Sequence, residues 1–210
     1  MRHIILLGDS IFDNAAYVGG APDVVRQLRE CLPDGWQATL RAIDGSVIRN
    51  VAAQGERLPA DASHLIISVG GNDALGHAGI LNESAHSTAQ VLSALADIGD
   101  NFEREYLQML DHTLRHQLPT AICTIYYPHF PDPALQKLAM TALSIFNDAI
   151  IRAAFTHGLP LLDLRLVCNE RGDYANPIEP SVQGGRKIAA AISKVVTAHD
   201  FARGQTEVFI

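Results

Sequence analysis

Cysteine is scarce in this chain of 210 residues: three thiols, Cys31, Cys123 and Cys168, odd in number and far apart. They build neither a disulfide framework nor a zinc-binding spacing, which points to a reducing, cytoplasmic compartment. Cys123, inside an apolar run, reads as a small core residue. Clustered positive charge is missing as well. The formal net charge is −7 and no Lys/Arg run occurs, so nucleic acids and anionic membranes are not expected partners. No apolar run approaches the ~18 residues of a membrane span. The run behind Met1-Arg2 breaks at Gly8-Asp9, too soon for the apolar segment of a signal peptide. Also absent are the phosphate-binding G-x-x-x-x-G-K-[ST], the dinucleotide-binding G-x-G-x-x-G and the strained G-x-S-x-G turn. There is no internal repeat, linker or low-complexity segment, so residues 1–210 read as one domain large enough for a sizeable core.

What is present is an alternation of short apolar runs and helical patterns. Ile4 to Leu7 is unbroken and apolar, as in a central strand buried on both faces. Further strands are expected at Trp36–Ile43, Leu65–Val69, Ala121–Tyr127 and Leu159–Leu164. Helical spacing runs over Pro22–Leu32, Val47–Gln54, Ser87–Leu95, Asn101–His116, Pro133–His157 and Val182–His199. Asp173–Pro180 reads as a loop, and Thr206–Ile210 as either a short edge strand or a frayed tail. Strands alternating with helices imply right-handed crossovers and a parallel sheet covered on both faces, a three-layer α/β domain.

In such a sheet, ligands bind at the carboxyl ends of the strands. Three of those ends carry polar residues: Asp9-Ser10, Asp44-Gly45-Ser46 and Gly70-Gly71-Asn72-Asp73. Each alone is an ordinary turn or helix cap. Together they suit acyl transfer, which needs a serine nucleophile and N–H donors for the oxyanion. Gly45 would let backbone approach a reacting carbonyl, and Asn72 offers an amide donor without burying a charge.

On these residues the chain resembles the SGNH/GDSL hydrolases. Gly8-Asp9-Ser10-Ile11 is similar to the first block, whose serine is the nucleophile and also gives its N–H to the oxyanion hole. Gly45 matches the second-block glycine, and Gly70-Gly71-Asn72-Asp73 the third block, whose asparagine completes the hole. The resemblance implies a flavodoxin-like sheet of five parallel strands in the order 2-1-3-4-5, and a cofactor-free hydrolase of small ester or acylated substrates. In the last block the chain departs from the pattern D-x-x-H-P. Asn176 stands in the aspartate position and Glu179 in the histidine position, with Pro177, Ile178, Pro180 and Ser181 around them.

Two repairs of the missing imidazole are open. Glu179 could take the serine proton, but an ordinary Glu titrates near 4.3 and would need a raised pKa to serve near neutrality. A pH midpoint well below the 6.5 or so of histidine is then expected. Alternatively His129, after the fourth strand, or His77, after the third, enters the site. Arg49, one turn into the helix after Gly45, could reach a substrate carboxylate. Two other functions stay open: an inactive relative that binds an acyl or glycan ligand or a protein, and a metal-dependent phosphoesterase. The second needs histidines beside Asp9 and Asn72, and none is adjacent.

Overall fold

The computed structural model describes residues 2–210. In chain order, β1 (Arg2–Gly8) leads to α1 (Val24–Cys31), β2 (Trp36–Leu40), α2 (Ile48–Gly55), β3 (Ala62–Ser68) and α3 (Gly71–Gly76). A 3-10 turn over Ala78–Asn82 precedes α4 (Thr88–Leu114), β4 (Thr120–Cys123), α5 (Pro133–His157), β5 (Leu161–Leu162) and α6 (Leu164–Val167). A hairpin of β6 (Tyr174–Asn176) and β7 (Glu179–Pro180) follows, then α7 (Val182–Ala198) and β8 (Val208–Phe209).

The main sheet is parallel throughout, in the order β2-β1-β3-β4-β5-β8. The five expected strands lie in the expected order, and Val208–Phe209 adds a sixth at the edge. Strand alternation divides β1 between two cores. Ile4 and Leu6 pack with Val24 and Leu28 of α1 and Ile188 and Ile192 of α7. Ile5 and Leu7 turn the other way, toward Val51 of α2, Tyr106 and Leu110 of α4 and Ile150 of α5. All four β1 side chains are fully buried. At roughly 1.5–3 kcal/mol each, they are a large part of what holds the three layers together.

Several expected boundaries move, each for a local reason. The two helices expected at Ser87–Leu95 and Asn101–His116 are one continuous α4. Gly99 does not break it; a Cβ there would come within 2.5 Å of Ile145 Cγ2, so the glycine permits close crossing of α4 and α5. The fourth strand stops at Cys123 instead of Tyr127. Beyond it, the buried Asn147 of α5 accepts from Ile125 N–H at 2.8 Å and donates to Ile125 O at 2.9 Å, doing what a strand neighbour would do. The fifth strand ends at Leu162 because Asp163 caps α6 by accepting from the backbone N–H of Arg165. Asp173–Pro180, expected as loop, contains the β6–β7 hairpin. By length and composition alone α5 could cross a membrane, against the expectation of no such segment, yet Phe146, Ala149, Ile150, Ala153 and Ala154 are packed in the core.

Candidate active site

The carboxyl end of β1 is held from two sides. Gly8 adopts φ +129°, and a Cβ there would lie 1.7 Å from Ser68 O of β3, so only glycine allows the two backbones to meet. Gln54, buried on α2, accepts from Gly8 N–H at 2.7 Å and donates to Gly8 O at 2.8 Å and to Ser46 Oγ at 3.1 Å. One side chain thus fixes the end of β1 relative to the loop after β2. Nothing in the linear pattern marks Gln54 for this role. It emerges only when α2 folds back over the sheet.

From that frame Ser10 emerges buried, as does Asp9. Gly45 sits at φ +76° in the exposed turn after β2, a conformation that favours glycine. Asn72 lies in the first turn of α3 and donates through Nδ2 to Ser46 O at 2.9 Å. Asp73, beside it, accepts from Ile48 N–H at 3.1 and 3.3 Å and so caps α2. The three expected strand ends therefore meet through Ser46 and α2.

The fourth contribution comes from β7. Ser10 Oγ donates to Glu179 Oε1 at 3.1 Å, across 169 residues of sequence. The hairpin that delivers Glu179 is tied at each step. Asn176 Oδ1 accepts from Ile178 N–H at 2.9 Å and Glu179 N–H at 3.0 Å. Tyr126 donates its hydroxyl proton to Ile178 O, and His129 its backbone N–H to Pro177 O. The buried Asn14 donates to Pro180 O at 3.2 Å and accepts from Val24 N–H, tying the loop behind Ser10 to the same strand.

Burial pushes the Glu179 carboxyl up to about 7, opposed by the bond from Ser10 and reinforced by the Asp44 carboxylate. The expectation of a midpoint well below that of histidine is therefore corrected: desolvation lifts the carboxylate into the same range. Its second oxygen, Oε2, is buried with no partner among the described residues. Asp9 is buried more deeply still, and desolvation raises it to about 8, with Ile11 N–H pulling it down and Glu179 and Asp73 pushing it up. A neutral Asp9 keeps a second negative charge away from Glu179.

This state of Asp9 has a consequence for stability. Its folded pKa lies above the unfolded value of 3.8, so between about pH 4 and 8 the folded chain holds a proton that the unfolded chain has released. Stability contributed at low pH is then lost as pH rises through that window. Asp9→Asn, which keeps the acceptor for Ile11 N–H, should raise Tm by at least a few degrees at pH 8, the gain vanishing toward pH 4. Thermal melts of both proteins across pH check this.

Beside Ser10 opens a cavity of about 160 Å³ lined by Ser10, Asn72 and Glu179 at one end and by apolar residues of α3, α4 and α5 elsewhere. Among the described residues no three His, Cys, Asp or Glu side chains come together as a metal-holding group.

A family model for the GDSL-like lipase/acylhydrolase family matches residues 6–187, from β1 into α7. The chain belongs to the GDSL-like lipase/acylhydrolase family. It is an esterase- or lipase-like hydrolase by family. Solved structures share the GDSL hydrolase fold at low identity. An extracellular lipase from Streptomyces rimosus is 16% identical, with a TM-score of 0.64 over 95% of this chain and 100% of that one. The lipase/acylhydrolase of Enterococcus faecalis is 18% identical, with a TM-score of 0.63 over 97% of each. The acetyl xylan esterase AlAXEase is also 18% identical, with a TM-score of 0.66 over 94% of this chain and 100% of that one. No curated protein sequence matches.

Against the GDSL pattern, the other expected residues fall in different places. Asn176, in the aspartate position of the last block, turns back on its own hairpin and bonds backbone, not the Glu179 carboxylate. The His129 ring stacks on Tyr174, with centroids 5.5 Å apart, and does not line the cavity. His77 does line it, with its ring 6.5 Å from that of Phe146. Among the described residues neither histidine hydrogen-bonds Ser10, whose Oγ meets Glu179 alone. Arg49 is exposed on α2 and among the described residues pairs with no carboxylate; Asp73, raised chiefly by burial, feels its charge only weakly.

Proposed function

We propose that the protein is a serine esterase in which Ser10 is the nucleophile and Glu179 the general base. The observation that carries this reading is the 3.1 Å hydrogen bond from Ser10 Oγ to Glu179 Oε1 at the mouth of an apolar cavity. With its pKa near 7, Glu179 is ionised often enough to accept the proton and acidic enough to return it.

The steps balance on this pair. Ser10 Oγ bonds to the ester carbonyl carbon as its proton passes to Glu179 Oε1. The C–O bond to the alcohol then breaks, and Glu179 protonates the departing oxygen. Water next attacks the acyl-serine, gives its proton to Glu179, and releases the acid as Ser10 recovers its proton. During each attack, negative charge moves from Glu179 to the carbonyl oxygen. Donors from Ser10 N–H, Gly45 N–H and Asn72 Nδ2 would receive it, and a neutral Asp9 leaves that charge unopposed. Asn72 Nδ2 carries two hydrogens, of which Ser46 O engages one.

The reading is tested by incubating the protein with an organophosphonate and with p-nitrophenyl esters. Release of p-nitrophenol and a mass adduct at Ser10 are expected; labelling elsewhere would contradict it. Asn72→Ala should cost on the order of 10²-fold in kcat, about 3 kcal/mol, with KM little changed, because the interaction strengthens in the transition state. A change in KM alone would make Asn72 a binding residue instead.

A further inference from the structure

The family resemblance leaves the acyl group unspecified, and the relatives named above include both lipases and an acetyl xylan esterase. The cavity narrows the choice. From Ser10 it runs between α3 and α5 toward α4, past Ala74, Ile98, Ala139, Ala142 and Phe146. Apart from Asp9, Ser10, Ser68, Asn72, His77 and Glu179, its lining is aliphatic and aromatic. An acetyl group would fill little of it, and a sugar would turn most of its hydroxyls toward apolar wall.

Its size sets a length. A cavity of about 150 Å³ lined by Leu, Ile and Phe holds a six-carbon ring. The 160 Å³ here is comparable. Its outer rim, Leu75, Leu81 and Leu135, is between 37% and 43% exposed, so a longer chain can continue over apolar surface without meeting a wall. Outside the cavity lining, near Glu179, lies an exposed polar cluster. There Tyr17 donates to Asp44 at 2.7 Å, Asp13 accepts from Asp44 N–H at 2.9 Å, and the Asp44 carboxylate acts on Glu179. That open side suits the departing alcohol and the incoming water, both of which must reach Glu179.

Resting on the hydrolase reading above, we propose that this cavity is a binding site for an unbranched acyl chain of about six to ten carbons, with the alcohol on the side of Asp44. Ala139 and Ala142 determine its usable length, because their small side chains on α5 leave the space the chain would occupy.

The test is a series of p-nitrophenyl esters from acetate to palmitate. The ratio kcat/KM should climb about fourfold per methylene up to octanoate, the value of one buried CH2, and then flatten. Ala142→Phe should lower the octanoate-to-acetate ratio at least tenfold. If that variant does not fold, Leu135→Ser at the half-exposed rim should lower the same ratio for decanoate. A ratio that is flat from acetate onward, or that neither variant moves, overturns the proposal. If no ester of any length is turned over, the hydrolase reading fails and the cavity is tested alone. Octanoate binding by calorimetry that is lost in Ala142→Phe then supports the site, and absence of octanoate binding to the wild-type protein overturns it.

Discussion

Ser10→Ala should reduce ester turnover by on the order of 10⁴-fold or more, leaving only what positioning and the oxyanion donors supply. Nothing nearby can substitute. Asp9 is held neutral by burial, and Cys123, the buried thiol at the end of β4, is driven so far up by desolvation that it carries no thiolate. The fold should survive the change, because among the described residues Ser10 Oγ makes no hydrogen bond other than that to Glu179. The measurement is kcat with circular dichroism as a control. Retained turnover in a folded Ser10→Ala protein would remove Ser10 from the chemistry.

Glu179→Gln should be nearly as severe, costing about 10²- to 10⁴-fold, the usual contribution of a general base. The amide is isosteric and can still accept from Ser10, so Ser10 should stay in place while losing its proton acceptor. On stability two effects oppose each other: a neutral amide removes the penalty of the buried anion above pH 7, and this offsets the cost of an amide NH2 where Oε2 has no partner among the described residues. Loss of activity with an unchanged or raised Tm therefore separates a catalytic role from a structural one. If Glu179→Gln were nearly silent while His77→Ala or His129→Ala was inactive, the base would be a histidine.

Much of this arrangement was legible in the chain. The five strands follow from short apolar runs ending in glycine and polar residues, because a buried parallel strand leaves little ambiguity, and their order was implied by the family resemblance; Ser10 and Asn72, on two of the expected strand ends, line one cavity. Glu179 was legible from its place in the last block. What escaped depends on contacts distant in sequence. Gln54 clamping Gly8, Asn14 tying β7, and Asn147 replacing a strand neighbour of Ile125 each satisfy buried backbone groups, and no local pattern announces such partners. The early end of β4 and the β6–β7 hairpin went unread for the same reason. The Glu179 pKa also escaped, since it is set by burial in the assembled crevice.

That shift is also why the pH midpoint alone does not distinguish a glutamate base from a histidine. The most direct test compares the pH dependence of kcat/KM in the wild-type protein and in Glu179→Gln. The account predicts a wild-type profile whose rising limb follows the Glu179 deprotonation near pH 7, and a Glu179→Gln profile that is low and lacks this inflection. A folded Glu179→Gln protein that keeps both the inflection and the rate would contradict it.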